Sequence, residues 1–444
     1  MSLPRSATTS HEGRWTRPLP VASAVVPVMA CAYALGWALV PGIGTDDPLQ
    51  YDLGVYRAAI AERASGHSLY DYATGEGDVF NYPPFAALFL WPLHWLGDHA
   101  AALLWTTLTL AATTLTVVLL HRAARDRSVR ERRPVREHRS VREHPSVQER
   151  RQQRNFPLFA IVLSLVLVSS AHLSTQLWGQ LGALLTVLVL IDALGRLPRP
   201  FGGALVGLAA AVKLAPLMFI PYFLLTRRYR EAATAAAVFT GAALLAWAVF
   251  PSDSARFWLS ETFRMRERVW DIADPANQSL YSFVLRCGLG PTATSLVFTA
   301  TALAVLAVWA VWTRRLRTRD PVLGILVTGC VWLLLEPVTW VHHLYWPVLA
   351  GAWLVLRYRS RALRCAGTAV LLLMLRPMDW GDRVPSQNGV WQLLSVNSWL
   401  IVVIATVTAL PALVAGAGRK AGTPPSRSGH VKSLAHGRTT DAGR

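Results

Sequence analysis

Charge is scarce in this chain of 444 residues. Only 16% of them are Asp, Glu, Lys or Arg, where soluble domains carry about 25%. Lysine is nearly missing: Lys213, Lys420 and Lys432 are the only ones, so the basic side chains are almost all Arg. Cysteine is rare as well. Cys31, Cys287, Cys330 and Cys365 form no CxxC and show no metal-ligand spacing, so they are read as small apolar side chains and no metal site is expected from them. The net charge of +18 comes without an aromatic-interleaved basic domain, which leaves nucleic acid without support as a partner.

What is present in quantity is apolar. Hydrophobic residues make up 53% of the chain, with 18 Trp. Runs at 21–40, 99–120, 157–175, 232–250, 292–313, 320–338 and 396–415 approach the roughly 20 residues that cross a bilayer as helix. The fold class expected is all-α, a polytopic integral membrane protein. No small-residue cleavage site follows 21–40, so that run is expected to stay as a span.

Arginine asymmetry sets the expected orientation. Arg5, Arg14 and Arg17 precede the first span, and the loop 121–156 holds twelve Arg against five acidic residues. Both are placed in the cytoplasm, which leaves 42–98 outside. "PFAALFLWPLHWLG" (Pro84 to Gly97) is then an interfacial or re-entrant helix, since a crossing there would reverse the basic loop. Basic loops also flank 202–225, at Arg196–Arg199 and Arg227–Arg230, so that run must go in and return, turning at "KLAP". The bookkeeping gives 10 to 12 crossings with both termini inside. The expected organisation is a cytoplasmic tail 1–20, a membrane domain 21–415 and a disordered cytoplasmic tail 416–444. Four hexads, SVRERR, PVREHR, SVREHP and SVQERR (Ser128 to Arg151), have no apolar face and are expected to be a dispensable insertion.

Polar groups in such a chain need a reason. Lys213 is the only lysine of the membrane region. It either snorkels to an interface or is held at a hairpin tip to meet a phosphate. His342 and His343 stand beside Trp340, Tyr345 and Trp346 at the outer end of a span. Neighbours on a helix diverge by about 100°, so a hydrogen-bonding or phosphate-contacting pair is expected rather than a metal site. "ANQSLYSFVLR" offers Asn277 and Gln278 as sugar partners. The outer loop is the anomaly: between Gly42 and Pro83 it holds seven acidic residues and two basic ones, Arg57 and Arg63. Within it Asp52 precedes the amphipathic run Leu53, Tyr56, Ile60, Ala64. It is either a helix N-cap or a general base.

Six stretches occur in an order that resembles glycosyltransferase family 87: "DLGVYRAA", "FNYPPFAALFLWPL", "LWGQLGALL", "GLAAAVKLAPLMFIPYFLL", "NQSLYSFVLR" and "EPVTWVHH". The resemblance covers roughly 20–415 and spares the hexads and tails. It implies a GT-C architecture with its site at the outer face of the plasma membrane, catalytic Asp52, substrate contacts from Lys213, His342 and His343, and no cofactor. Tyr56, Arg57, Tyr82 and Gln180 lie in the same motifs and are expected to bind substrate. One departure is Val341, where members of the family often carry Asp. The implied reaction moves mannose from a polyprenyl-phosphate sugar donor to a hydroxyl of a glycolipid or glycan acceptor, inverting to an α-(1,2) linkage. An arabinofuranosyltransferase of the same fold is the alternative. A transporter is the weaker rival, since no second copy of the Lys213 hairpin supports inverted repeats.

Overall fold

Prolines and polar caps punctuate the chain where its helices start. The computed structural model describes residues 25, 27–33, 35–36, 50–130, 145–264, 271–376 and 389–422. Asp46, Asp47, half of the first expected span, the middle of the hexads and the far tails lie outside the described residues. Helix α1 (Tyr51–Ala64) is followed by α2 (Pro84–Leu90), with Pro84 at N1 where its missing N–H is harmless. A 3-10 turn, Trp91–Trp95, follows. Pro84–Leu90 and the 3-10 turn pack on α1 and on each other, with Ala86, Ala87 and Leu90 buried. Next come α3 (Asp98–Arg130), α4 (Pro145–Leu167), α5 (Ser170–Trp178) and α6 (Gly182–Ala193). Ser169 ends α4 in an extended conformation and caps α5 through its hydroxyl, and the two helices meet at a 50° bend.

The segment α7 (Ala204–Val212) and α8 (Phe219–Leu225) forms a hairpin with Lys213 in its turn. Both ends meet at one place. Asp192 accepts from the N–H of Gly203 at 2.6 Å and of Val206 at 3.1 Å, while Arg228 donates to the Ala193 carbonyl at 2.6 Å and pairs with Glu231 at 3.1 Å. Helix α9 (Tyr229–Val249) packs directly on α7. A Cβ at Gly207 would lie 2.4 Å from the Ala235 carbonyl oxygen, so glycine is what permits that contact.

Beyond α10 (Pro251–Arg256) and α11 (Leu280–Arg286), α12 (Pro291–Arg319) and α13 (Pro321–Leu335) run together. The last helices are α14 (Tyr345–Arg357), α15 (Arg361–Leu373), α16 (Gly389–Val396) and α17 (Ser398–Gly422). Helix α14 is the core of the bundle, with Trp353 fully buried. Asp320 caps α13 and accepts from the Trp353 indole at 2.9 Å, tying α13 to that core.

Asp98–Asp126, Tyr229–Val249, Pro291–Arg319 and Ser398–Ala417 are long and apolar enough to cross a membrane, and the bent α4–α5 pair makes a fifth. The chain is thus an all-helical multi-pass membrane protein. Ten to twelve crossings would also need shorter apolar helices such as Gly182–Ala193 and Pro321–Leu335 to cross. Cys330 is buried, but Cys287 and Cys365 are exposed. Among the described residues there is one isolated bridge, Ala73 with Val79, and no strand.

Candidate active site

Asp52 does not cap its helix. The N-cap of α1 is Gln50, in the left-handed region and without a side-chain cap bond, and Asp52 lies one residue into the first turn. Its carboxylate instead accepts from the Gln180 side-chain amide. A glycine makes that meeting possible. Gly179 ends α5 at φ 69°, and a Cβ there would lie 2.7 Å from Leu53 Cβ and 2.9 Å from Gln50 Cβ. Only a residue without a side chain lets α1 approach α5 so closely, and the next residue is Gln180.

The chain of contacts continues through two tyrosines. The Tyr82 hydroxyl donates to Gln180 Oε1 at 3.3 Å and lies 2.9 Å from the Tyr56 hydroxyl, with the rings edge to face at 5.0 Å. Tyr56, Tyr82 and Gln180 are buried, so the carboxylate is held by groups that cannot drift. Burial pushes the Asp52 carboxyl up to about 7. The Gln180 hydrogen bond opposes this, the Asp78 charge adds to it, and the Lys213 ammonium pulls down. A carboxyl poised there suits proton transfer near neutrality.

Lys213 approaches from the hairpin turn. It follows α7 in an extended conformation, with Nζ 5.4 Å from the Tyr82 ring centroid, a cation–π distance, and 2.9 Å from His343 Nε2. The ammonium is therefore engaged by side chains of the protein. His343 Nδ1 lies 3.4 Å from Glu336 Oε1 and 3.2 Å from the Trp340 N–H. The His342 ring stands at 80° to that of His343, with centroids 4.3 Å apart. Burial, followed by the Lys213 charge, pulls both imidazoles well below their usual range, so both are neutral. A cavity of about 60 Å³ lies beside them, lined by Lys213, Glu336, His342, His343, Trp332 and Phe219 among others. It has room for water.

Asp52, Gln180, Tyr82, Tyr56, Lys213 and the histidine pair are thus brought together from five separate stretches. Arg57, Asn277 and Gln278 are not. Arg57 donates to the Leu93 carbonyl at 3.1 Å, to the Leu96 carbonyl and to Asp98, fastening α1 to the 3-10 turn. Asn277 is fully buried. It donates to the Ile272 and Pro337 carbonyls at 2.9 and 3.2 Å and accepts from the Thr339 N–H at 2.9 Å. Gln278 donates to Pro275 and Val396 carbonyls at 2.7 and 2.9 Å and accepts from the Leu400 N–H. Their amide groups are consumed by backbone, and they clamp the loop that leads to the histidines.

Glu336 was missed as an individual residue. The signal was available: an acid in the apolar run 320–338, just ahead of the histidine pair. Among the described residues no group of three His, Cys, Asp or Glu side chains is placed to hold a metal.

The sequence matches the model of glycosyltransferase family 87 over residues 80–337, a stretch that includes Tyr82, Gln180, Lys213 and Glu336 but not Asp52 or the histidine pair. The chain is also similar to curated proteins. A polyprenol-phosphate-mannose-dependent alpha-(1-2)-phosphatidylinositol mannoside mannosyltransferase of Mycolicibacterium smegmatis is 30% identical, over 84% of this chain and 86% of that protein. Its namesake in Mycobacterium tuberculosis is 28% identical, over 82% and 86%. A phosphatidylinositol pentamannoside mannosyltransferase of the latter species is 29% identical, over 92% and 90%. With a family model spanning more than half of its length and relatives matched nearly end to end, this membrane glycosyltransferase belongs to glycosyltransferase family 87.

Proposed function

We propose that this protein transfers a mannosyl residue from a polyprenyl-phosphate mannose to a hydroxyl of a phosphatidylinositol-mannoside-type glycolipid, at the outer face of the plasma membrane. The observation that carries the reading is a carboxylate and an ammonium converging on one tyrosine: Asp52 through Gln180, and Lys213 over the Tyr82 ring. A transfer from a lipid phosphate needs both. Asp52 accepts the proton of the acceptor hydroxyl while that oxygen bonds to the anomeric carbon. The bond from the anomeric carbon to the phosphate oxygen breaks, its electron pair stays on the phosphate, and Lys213 offsets the added negative charge. A single displacement converts a β-linked donor into an α-linked product. His343 takes part by holding the ammonium, since its Nε2 already faces Lys213.

The relatives' names support mannose as the sugar and a phosphatidylinositol mannoside as the acceptor, and the outer-face assignment is supported by the distribution of Arg. The test is to give the detergent-purified protein labelled mannosyl and arabinofuranosyl polyprenyl phosphates in parallel, with a phosphatidylinositol mannoside as acceptor. Mannose should appear in a product cleaved by an α-(1,2)-specific mannosidase. Transfer of arabinose alone would replace the reading with its sister activity.

A further inference from the structure

Glu336 stands behind the histidine pair, and the mechanism above does not use it. It follows α13 directly and is 9% exposed. Its carboxylate accepts from the Trp332 indole at 2.7 Å and the Thr339 hydroxyl at 3.1 Å, and lies 3.4 Å from His343 Nδ1. Its loop is fixed from outside, by Asn277 on Pro337 and Thr339 and by the Ser279 hydroxyl on the Pro337 carbonyl at 2.8 Å.

Two neighbours make opposite demands on the His343 proton. An ammonium carries only donors, so the Nε2 that faces Lys213 at 2.9 Å must present its lone pair. An imidazolium, or the tautomer with its proton on Nε2, would point N–H at N–H. The remaining form carries its proton on Nδ1, where Glu336 Oε1 lies at ion-pair distance, 3.4 Å away. The Trp340 N–H, at 3.2 Å from the same nitrogen, favours the opposite tautomer, so the carboxylate has to outweigh it. We propose that Glu336 is a positioning residue: it locks His343 with its proton on Nδ1, so that Nε2 seats the Lys213 ammonium over Tyr82, beside the Asp52–Gln180 pair. This rests on the reading of Lys213 as the group that meets the leaving phosphate. The titratable and charged groups facing His343 are Lys213, His342 and Glu336.

The experiment has two arms. The first needs no substrate. In full-length protein labelled with ¹⁵N-histidine, the His343 signals are assigned by their loss in His343→Gln, and their shifts report which nitrogen is protonated. The wild type should carry the proton on Nδ1, and Glu336→Gln should move the ring toward the other tautomer, with Glu336→Asp intermediate. A proton on Nε2 in the wild type, or the same balance in Glu336→Gln, overturns the proposal. The second arm is a double-mutant cycle on transfer. Glu336→Gln should lower kcat by about 10-fold, within the range of coupling between residues in contact, with the donor KM changed less than about twofold. In a His343→Ala background it should lower kcat no further. Additive losses would mean a general structural role and refute the assignment. If the wild type transfers nothing from the mannosyl donor, the functional reading falls while the spectra still decide on Glu336.

Discussion

Replacing Asp52 by Asn removes one proton-accepting group and little else. The cap of α1 is untouched, because Gln50 occupies the N-cap position. The Gln180 amide that donates to Asp52 Oδ2 finds the carboxamide oxygen of Asn in the same place. What disappears is the ability to take the hydroxyl proton, and the rate should fall about 10²-fold or more, equivalent to about 3 kcal/mol of barrier. Stability should move the other way. Burial raises the folded carboxyl from 3.8 to about 7, so between those values the folded state binds more protons than the unfolded one. Stability of the wild type therefore falls as pH rises from about 4 to 7 and then levels off. The full shift corresponds to at most about 4 kcal/mol, and Asn does not suffer it. The purified variant should melt above the wild type at pH 8, with the gap shrinking as pH falls toward 4. The wild-type kcat should rise with pH through about 7. Transfer by Asp52→Asn at near wild-type rate would refute the base assignment. A variant that melts lower at pH 8 would refute the argument that burial, and not partnership, sets this carboxyl.

Lys213→Ala should lower transfer about 10²-fold, the scale of losing one donor at developing charge, and should weaken inhibition by free polyprenyl phosphate; unchanged kinetics would return the lysine to a packing role. Gly179→Ala asks a non-glycine residue to hold φ 69° with its Cβ 2.7 Å from Leu53. It should cost about 1–3 kcal/mol and, by shifting Gln180 from Asp52, reduce kcat well beyond any change in donor KM. Asn277→Ala should lower the melting temperature by leaving the buried Thr339 N–H unpaired, a cost of about 1–3 kcal/mol. A raised substrate KM without lost stability would instead make Asn277 a sugar contact. Orientation can be read by impermeant thiol labelling of intact cells, with Asp78→Cys reacting and Ser140→Cys silent. Cys287 and Cys365 are exposed, so both must first be replaced by Ser. The reverse pattern would move the site to the cytoplasmic side.

How legible the protein was depends on the range of the interaction. The long spans could be read directly: 99–120 and 292–313 lie within helices that pass as crossings, and 232–250 and 396–415 overrun theirs by one and two residues, because hydropathy over a helical run is a local property. The Lys213 hairpin could be read too, since basic loops on both sides of 202–225 force a return. Whether a polar side chain faces the site or serves the scaffold is decided by its neighbours in space. Asn277 and Gln278 have the groups that a sugar requires, yet backbone carbonyls and amides of 272–275, 337–339 and 396–400 consume them. Asp52 looks like a cap in sequence, but its partner, Gln180, is reached only because Gly179 lets two helices touch. Glu336 gains meaning only where His343 meets Lys213, 130 positions away in the chain. Sequence by itself determined the membrane class, the order of helices and the residue types able to do the chemistry. Tertiary structure decided which of them converge, because a buried charge or amide is defined by what surrounds it, and those surroundings come from distant parts of the chain.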